Sequence, residues 1–425
     1  MTFEAILVVA ALLVAYGLVS ARLERWSISG PLVFTAVGVL LGPSAIDVLG
    51  GRFDEGAVEL MAEATLVLLL FGDATRIDLR LLRSQVAIPA RMLGIGLPLT
   101  LAAGTFVTAL AIDDLSLAGA AVVAAVLTPT DAALGQAVVG NPRVPVRIRQ
   151  ALNVESGLND GLMLPAIAVL TALAGAEAGG ESATHWVEFA ARQIGFGVLV
   201  GVGVGYAGGR AIDHFGSRGW VDGAMRQIAT LALAVAAFAG AEVVEGNGFV
   251  AAFVAGMAFG VAARDRCHDA ADFTEDEGQL LTLLTFLFFG ALLLGPRLDD
   301  LTPTVALCSL AFLTVVRMVP VAISLIGLGL AWPTVAYLGW FGPRGLASIL
   351  FGLSVVEEVE LGGGDVVLDI VTWTVAASIV LHGLSAGPAA ERYADWFAAR
   401  NETMPDHDVM PEAEVVDEMR PRLPM

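Results

Sequence analysis

From residue 3 to residue 386 the chain is a succession of apolar stretches separated by short polar loops, and two of those stretches carry carboxylates in their interiors. Hydrophobic residues make up 56% of the chain and the mean hydropathy is +0.77. Such a sequence belongs in a bilayer as an integral membrane protein, not in water as a soluble enzyme. No gap between stretches reaches the size of a soluble domain, so one polytopic unit is expected. The interrupting residues are Thr128-Pro129-Thr130-Asp131 in one span and Asn153-Val154-Glu155-Ser156-Gly157-Leu158-Asn159-Asp160 in the next. An ionised carboxylate near the bilayer centre costs roughly 2.5–3.5 kcal/mol on insertion scales. Three of them beside Asn, Ser and Thr need a compensating task, and cation binding is the natural one.

Thirteen membrane helices are predicted, at about 3–19, 31–48, 58–71, 86–111, 117–139, 148–173, 189–212, 227–244, 248–262, 280–294, 303–330, 332–356 and 366–386. The N-terminus lacks the basic region of a signal peptide, with Glu4 the only charge before Arg22, so the first span reads as a retained helix. The connecting loops alternate in sign. Arg22 and Arg25, Arg76, Arg80 and Arg83, Arg143, Arg147 and Arg149, and Arg264 and Arg266 follow odd-numbered helices. Acidic groups such as Asp113 and Asp114, Asp299 and Asp300, and Glu357, Glu358 and Glu360 fill the other set. The positive-inside rule then puts the N-terminus outside and the C-terminus in the cytoplasm. Residues 401–425 are acidic and Pro-punctuated and read as a short solvated tail.

Every one of the 23 basic residues is Arg, and the net charge is −20. Arg-favouring codon usage and a salt-adapted surface both account for this. No nucleic-acid partner is expected. Cys267 and Cys308 are the only cysteines, too few for a disulfide framework or a Cys metal site.

Thirteen helices divide as six, one linker and six, with the halves inverted. The fifth helix then matches the twelfth, which is interrupted at Gly342-Pro343-Arg344-Gly345. Broken helices at equivalent places in two halves are the best sequence pointer to a transporter site. Asp131 on one break and Arg344 on the other would neutralise the opposed partial charges of the half-helix ends.

Ser156 and Asp160 are four apart and share a helix face. With Asp131 and Thr130 they make an oxygen cage for a small hard cation, and no His or Cys stands by to favour zinc or copper. Proton and cation then compete for the same oxygens, which by itself gives exchange. Glu155 points elsewhere, and a salt bridge to Arg317 or Arg344 is its structural solution. Asn159 is expected to orient the site. Asp73 reads either as a helix-end charge or as a peripheral ligand. The competing reading of all these residues is a polar network that only ties helices together. Gly197, Gly201, Gly205 and Gly209 read as a helix-packing stripe, and His382 as a packed histidine.

At Thr130-Asp131, Glu155-Ser156-Gly157-Leu158-Asn159-Asp160, Arg317 and Gly342-Pro343-Arg344-Gly345 the chain resembles the sodium/proton antiporters of the cation:proton antiporter-1 family, in their NhaP-type branch. The resemblance implies a homodimer and the absence of any cofactor. It also implies a dimer domain at about 1–75 and 188–295 and a core domain at about 84–175 and 302–387 that moves against it like an elevator. Asp160 would be the principal carrier of ion and proton, with Asp131, Ser156 and Thr130 completing the Na⁺ site. Glu155, Asn159, Arg317, Arg344 and Asp73 would support it. An Asn-Asp pair on the sixth helix goes with electroneutral exchange, serving sodium transport and pH homeostasis. Many members read Thr-Asp-Pro where Ala132 follows Asp131 here.

K⁺/H⁺ exchange uses the same ligand types and is the nearest alternative. A cation channel is disfavoured by the paired breaks and by the lack of a carbonyl filter. An intramembrane hydrolase would need a base beside Ser156, and no His accompanies it. No enzymatic activity is expected.

Overall fold

The computed structural model describes residues 3–49, 55–75, 87–113, 115–131, 133–179, 183–263, 268–358, 364–402 and 412. Among them all regular structure is helical. α1 (Phe3–Arg25), α2 (Gly30–Leu41) and α3 (Glu55–Thr75) precede α4 (Ala87–Ala111), which contains a π-helical stretch at Met92–Gly96. α5 (Leu117–Leu127) stops early, and short helical pieces at Ala133–Gly135 and Gln136–Val139 resume beyond it. Next come α6 (Val146–Gly179), α7 (Ala183–Ser217), α8 (Gly223–Val243) and α9 (Gly248–Ala263). α10 (His268–Phe288) runs on as a π-helix, Phe289–Leu294, and a 3₁₀ turn, Gly295–Asp300. α11 (Pro303–Ser324) is interrupted at Thr314. α12 (Trp332–Trp340) and α13 (Leu346–Glu358) are separate pieces, and α14 (Gly364–Glu402) is last.

Local chemistry explains several boundaries. Ser116, Asp222 and Thr302 each accept a hydrogen bond from the backbone N–H three residues on, capping α5, α8 and α11. The span predicted at 303–330 ends instead at Ser324, because Gly327 and Gly329 take φ of +87° and +70° and turn the chain. The last span, predicted to end at 386, continues to Glu402. Its apolar density falls there, yet Ala386, Ala390 and Tyr393 keep one face packed on Tyr337, Leu338 and Phe341 of α12 and the residue after it.

Among the described residues, eight helices are long and apolar enough to cross a membrane by length and composition: α1, α4, α6, α7, α8, α10, α11 and α14. Large apolar side chains such as Leu7, Leu18, Phe106, Leu199 and Leu307 stay exposed on them, as suits a hydrocarbon solvent. The glycine stripe of α7 lies against α9. A Cβ on Gly201 would come 2.6 Å from the Ala251 carbonyl oxygen, so only glycine lets the backbones approach this closely.

Two satellite clusters divide the molecule. Val67 and Phe71 of α3, Ala234 and Ala237 of α8, and Ala255 and Phe259 of α9 form one. Ile88 and Met92 of α4, Ile148 and Leu152 of α6, Val321 of α11, Leu338 of α12 and Tyr393 of α14 form the other. The largest cluster takes residues from α5, α6, α10, α11, α13 and α14, among others.

The tail expected to be solvated lies outside the described residues except at Glu412, which is buried. Its Oε1 accepts from the Ala331 N–H and the Thr334 hydroxyl, both at 2.9 Å. Arg143, before α6, pairs with Asp395 late in α14, so the start of α6 and the end of α14 share one end of the molecule.

Candidate ion site

The two interruptions meet. The segment after α5 runs against the one after α12, with the Asp131 N–H donating to the Pro343 carbonyl at 2.8 Å. Asp131 Oδ2 accepts from the N–H of Leu346, the first residue of α13, at 3.0 Å. Arg344 Nε donates to the carbonyl of Leu127, the last residue of α5, at 2.7 Å, and its Nη1 donates to the Gly342 carbonyl. A carboxylate therefore sits at a positive half-helix end and a guanidinium at a negative one. Backbone groups freed by breaking a helix inside a membrane are satisfied by charges from the partner break.

A second layer holds the crossing. The Arg344 N–H donates to Ser378 Oγ at 2.7 Å. Ser378 Oγ lies 3.1 Å from His382 Nδ1, and His382 Nε2 lies 3.0 Å from the carbonyl of Trp340, the last residue of α12. His382 Nδ1 also lies 3.2 Å from the Ser378 carbonyl, so both ring nitrogens face backbone acceptors. His382 is thus a fixed, hydrogen-bonded side chain closing the end of α12. Two glycines make room at the crossing. A Cβ on Gly345 would overlap the Asp131 carboxylate, and one on Gly342 would overlap the Arg317 guanidinium.

α6 presents its polar run to the crossing. Thr130 Oγ1 is 3.1 Å from Ser156 Oγ and accepts from Asn159 Nδ2 at 2.6 Å. Asp131 and Asp73 both act electrostatically on Asp160. Asp73 of α3 faces α6, its Cβ 4.0 Å from where a Cβ on Gly157 would lie. Asp160 Oδ1 and Asn159 Oδ1 are buried without a hydrogen-bond donor. Buried acceptors left open beside carboxylates form a place for a cation or a proton. Asp160, Asp131, Ser156, Thr130, Asn159 and Asp73 are therefore gathered at one place.

Glu155 leaves that group. Its two oxygens accept from both Arg317 Nη atoms, one of the bonds at 2.7 Å, and the side chains are 1% and 4% exposed. Of the two arginines the sequence allowed, Arg317 is the partner, and Arg344 serves the half-helices.

The surroundings of α6 differ to either side of Asp160. Asn153, two turns earlier, is exposed. Gly161, one residue later, is buried against the Phe253 ring of α9, which a Cβ there would overlap. Phe253, Ser378 and the interruption at Thr314 escaped the sequence reading. Ser378 and His382, four apart on an apolar span and so on one face, were the readable signal among these.

Residues 8–392 match the transmembrane sodium/hydrogen exchanger family. The chain belongs to that family. It is 26% identical over 371 residues to the K(+)/H(+) antiporter NhaP of Alkalimonas amylolytica, covering 84% of this chain and 61% of that one. It is 24% identical over 360 residues to Na(+)/H(+) antiporter 2 of Zygosaccharomyces rouxii, covering 79% of this chain and 44% of that one. The chain thus spans less than two thirds of the length of these relatives. The solved sodium proton antiporter MjNhaP1 from Methanocaldococcus jannaschii, at pH 8, matches with a TM-score of 0.69 at 20% identity, covering 92% of this chain and 98% of that one. An electron-microscopy structure of the same protein matches with a TM-score of 0.73 at 19% identity, covering 95% of this chain and 100% of that one. The exchanger fold is shared, and the NhaP-type resemblance read from the motifs holds. This family member is a multi-pass membrane protein, and its family consists of ion exchangers, not enzymes.

Proposed function

We propose that the protein is an electroneutral Na⁺(Li⁺)/H⁺ antiporter in which cation and proton compete for Asp160. The observation that carries this reading is the open, buried Oδ1 of Asp160 beside Asp131, where the two broken helices cross. Asp131, Ser156 and Thr130 complete the oxygen set, and Asp73 approaches as a peripheral ligand from α3. Glu155 is neutralised by Arg317 and Asn159 brings no charge, so Asp160 is left to exchange one H⁺ for one monovalent cation.

The eight long spans, together with α2, α3, α5, α9 and the α12–α13 pair, support a reading of thirteen crossings in an inverted six-plus-six repeat. The two satellite clusters support a dimer domain and a core domain that move past one another as an elevator. The protein acts as a homodimer in the cytoplasmic membrane, N-terminus outside and C-terminus inside, in sodium transport and pH homeostasis. K⁺/H⁺ exchange is the second reading, favoured by the named activity of the Alkalimonas relative.

The test uses purified protein in proteoliposomes with a pH-sensitive dye, challenged with Na⁺, Li⁺ or K⁺, with and without a valinomycin clamp. Na⁺-driven proton movement that is insensitive to the clamp and absent in Asp160→Asn is the expected result. A response to K⁺ alone moves the assignment to the second reading. Unchanged flux in Asp160→Asn removes the carboxylate-carrier mechanism.

A further inference from the structure

At the end of α14 opposite Asp395, a second ion pair joins the turn after α10 to α14. Arg297 lies in the 3₁₀ turn that follows α10, and its Nε is 3.3 Å from Asp369 Oδ1 near the start of α14. The side chains are 21% and 13% exposed, so the pair is largely withdrawn from solvent. Asp300 and Asp365 act on the same carboxylate, so Arg297 meets a locally acidic surface. One turn of α14 after Asp369, Trp373 Nε1 donates to the Arg297 carbonyl at 3.2 Å. One residue is therefore gripped by α14 at both its side chain and its backbone.

The position matters because the end of α10 is packed on α2, where a Cβ on Gly290 would overlap the Thr35 carbonyl. α6 begins beside the end of α14, so the direction from Asn153 through Asp160 to Gly161 leads toward the start of α14. The Arg297–Asp369 link thus ties the α2–α10 pair to the start of α14, at the end of that helix away from Arg143.

We infer that Arg297, Asp369 and Trp373 form a latch that holds the core helices against the dimer-domain helices between translocation steps. This inference rests on the elevator reading above. Translocation then requires the latch to break, because α14 travels with the core and the turn after α10 is tied to the dimer domain. An ion pair held from solvent is suited to this, since separating the partners leaves each charge uncompensated until water reaches it. The link sets how often the site changes face, and leaves ion chemistry to the carboxylates.

The test is a crosslink. Arg297→Cys and Asp369→Cys are introduced together after Cys267 and Cys308 are replaced by Ser, and the pair is joined with a short bis-methanethiosulfonate reagent in proteoliposomes. Joining should lower cation-driven proton flux by about tenfold or more, as gating controls turnover, and reduction should restore it. Single-cysteine variants should be unaffected by the reagent. Full flux in a quantitatively joined protein would overturn the latch while leaving antiport standing, whereas absence of cation-driven flux before joining, in the native protein, would remove the underlying reading instead. If the double-cysteine variant does not fold, Asp369→Asn, Arg297→Gln and their combination serve. Each should change maximal flux about threefold or more with half-saturating Na⁺ tracking it, and the combination should add nothing further. Additive effects, or none, would overturn the pair as a unit.

Discussion

Glu155 and Asp160 are neighbours on one helix and behave as opposites because of what faces them. Glu155 is bonded to Arg317 through both oxygens, and Asp160 keeps an acceptor open. Removing one partner of a buried pair leaves the other charge uncompensated and costs about 3–5 kcal/mol. Glu155→Ala should therefore lower the melting temperature of the detergent-solubilised protein sharply, and Arg317→Ala should do the same. The double variant should be far milder than the sum, because no orphan charge remains. Asp160→Asn should melt at or above the native temperature, since it removes a buried charge that has no donor at Oδ1. A strongly destabilised Asp160→Asn would show that the carboxylate holds the fold together, the role a mere tie between helices requires. Gly345→Ala probes the same region sterically. Its Cβ would overlap the Asp131 carboxylate, so half-saturating Na⁺ should rise roughly ten- to hundredfold. Gly94→Ala, with open space around the new Cβ, should leave affinity unchanged.

Half-helices place stringent demands on their ends, and α12 shows how those demands are met from far along the chain. Its N-cap residue is Ala331, which offers no side-chain acceptor. Glu412 supplies a carboxylate to the Ala331 N–H and to Thr334, and Tyr393 lies 3.0 Å from the Thr334 hydroxyl. At the other end His382 takes the Trp340 carbonyl. Losing a cap costs about 1 kcal/mol. Glu412→Ala, or truncation after Glu402, should accordingly speed amide exchange in the first turn of α12 by about fivefold without altering exchange in α6. Identical exchange with and without Glu412 would refute the capping role. This contact also marks where the sequence stops being legible. The breaks after α5 and α12 were readable because polar residues and Pro interrupt apolar runs, and the placing of Asp131 on one break and Arg344 on the other as neutralising charges followed from half-helix polarity. The interruption at Thr314 was not, since it lies in Leu313-Thr314-Val315 and looks like any apolar helix. The π-helical stretches at Met92–Gly96 and Phe289–Leu294 have no local signature either. Glu412, some eighty residues beyond the helix it caps, could only be found in three dimensions.

On the scale of the whole molecule, a single site that serves both ions must show itself in how pH enters the kinetics. If H⁺ and Na⁺ occupy the same Asp160 oxygens, lowering pH raises the proton's share of the outward-facing and inward-facing sites alike. Below the apparent pKa of the site, each unit of pH should then raise half-saturating Na⁺ by about tenfold, while flux at saturating Na⁺ stays the same. Above it, half-saturating Na⁺ should level off, and maximal flux should fall because protons no longer load the returning site. The sign follows from competition: protonation excludes Na⁺ at low pH, and deprotonation starves the return step at high pH. These two limbs belong to one carrier group. Proton-driven efflux and Na⁺-driven influx should therefore share the same apparent pKa when measured in proteoliposomes at several Na⁺ concentrations. A fall in maximal flux at low pH with half-saturating Na⁺ unmoved would mean that protons act at a separate regulatory group. The shared-carboxylate cycle would then be wrong even though the chain remains an exchanger by family and fold.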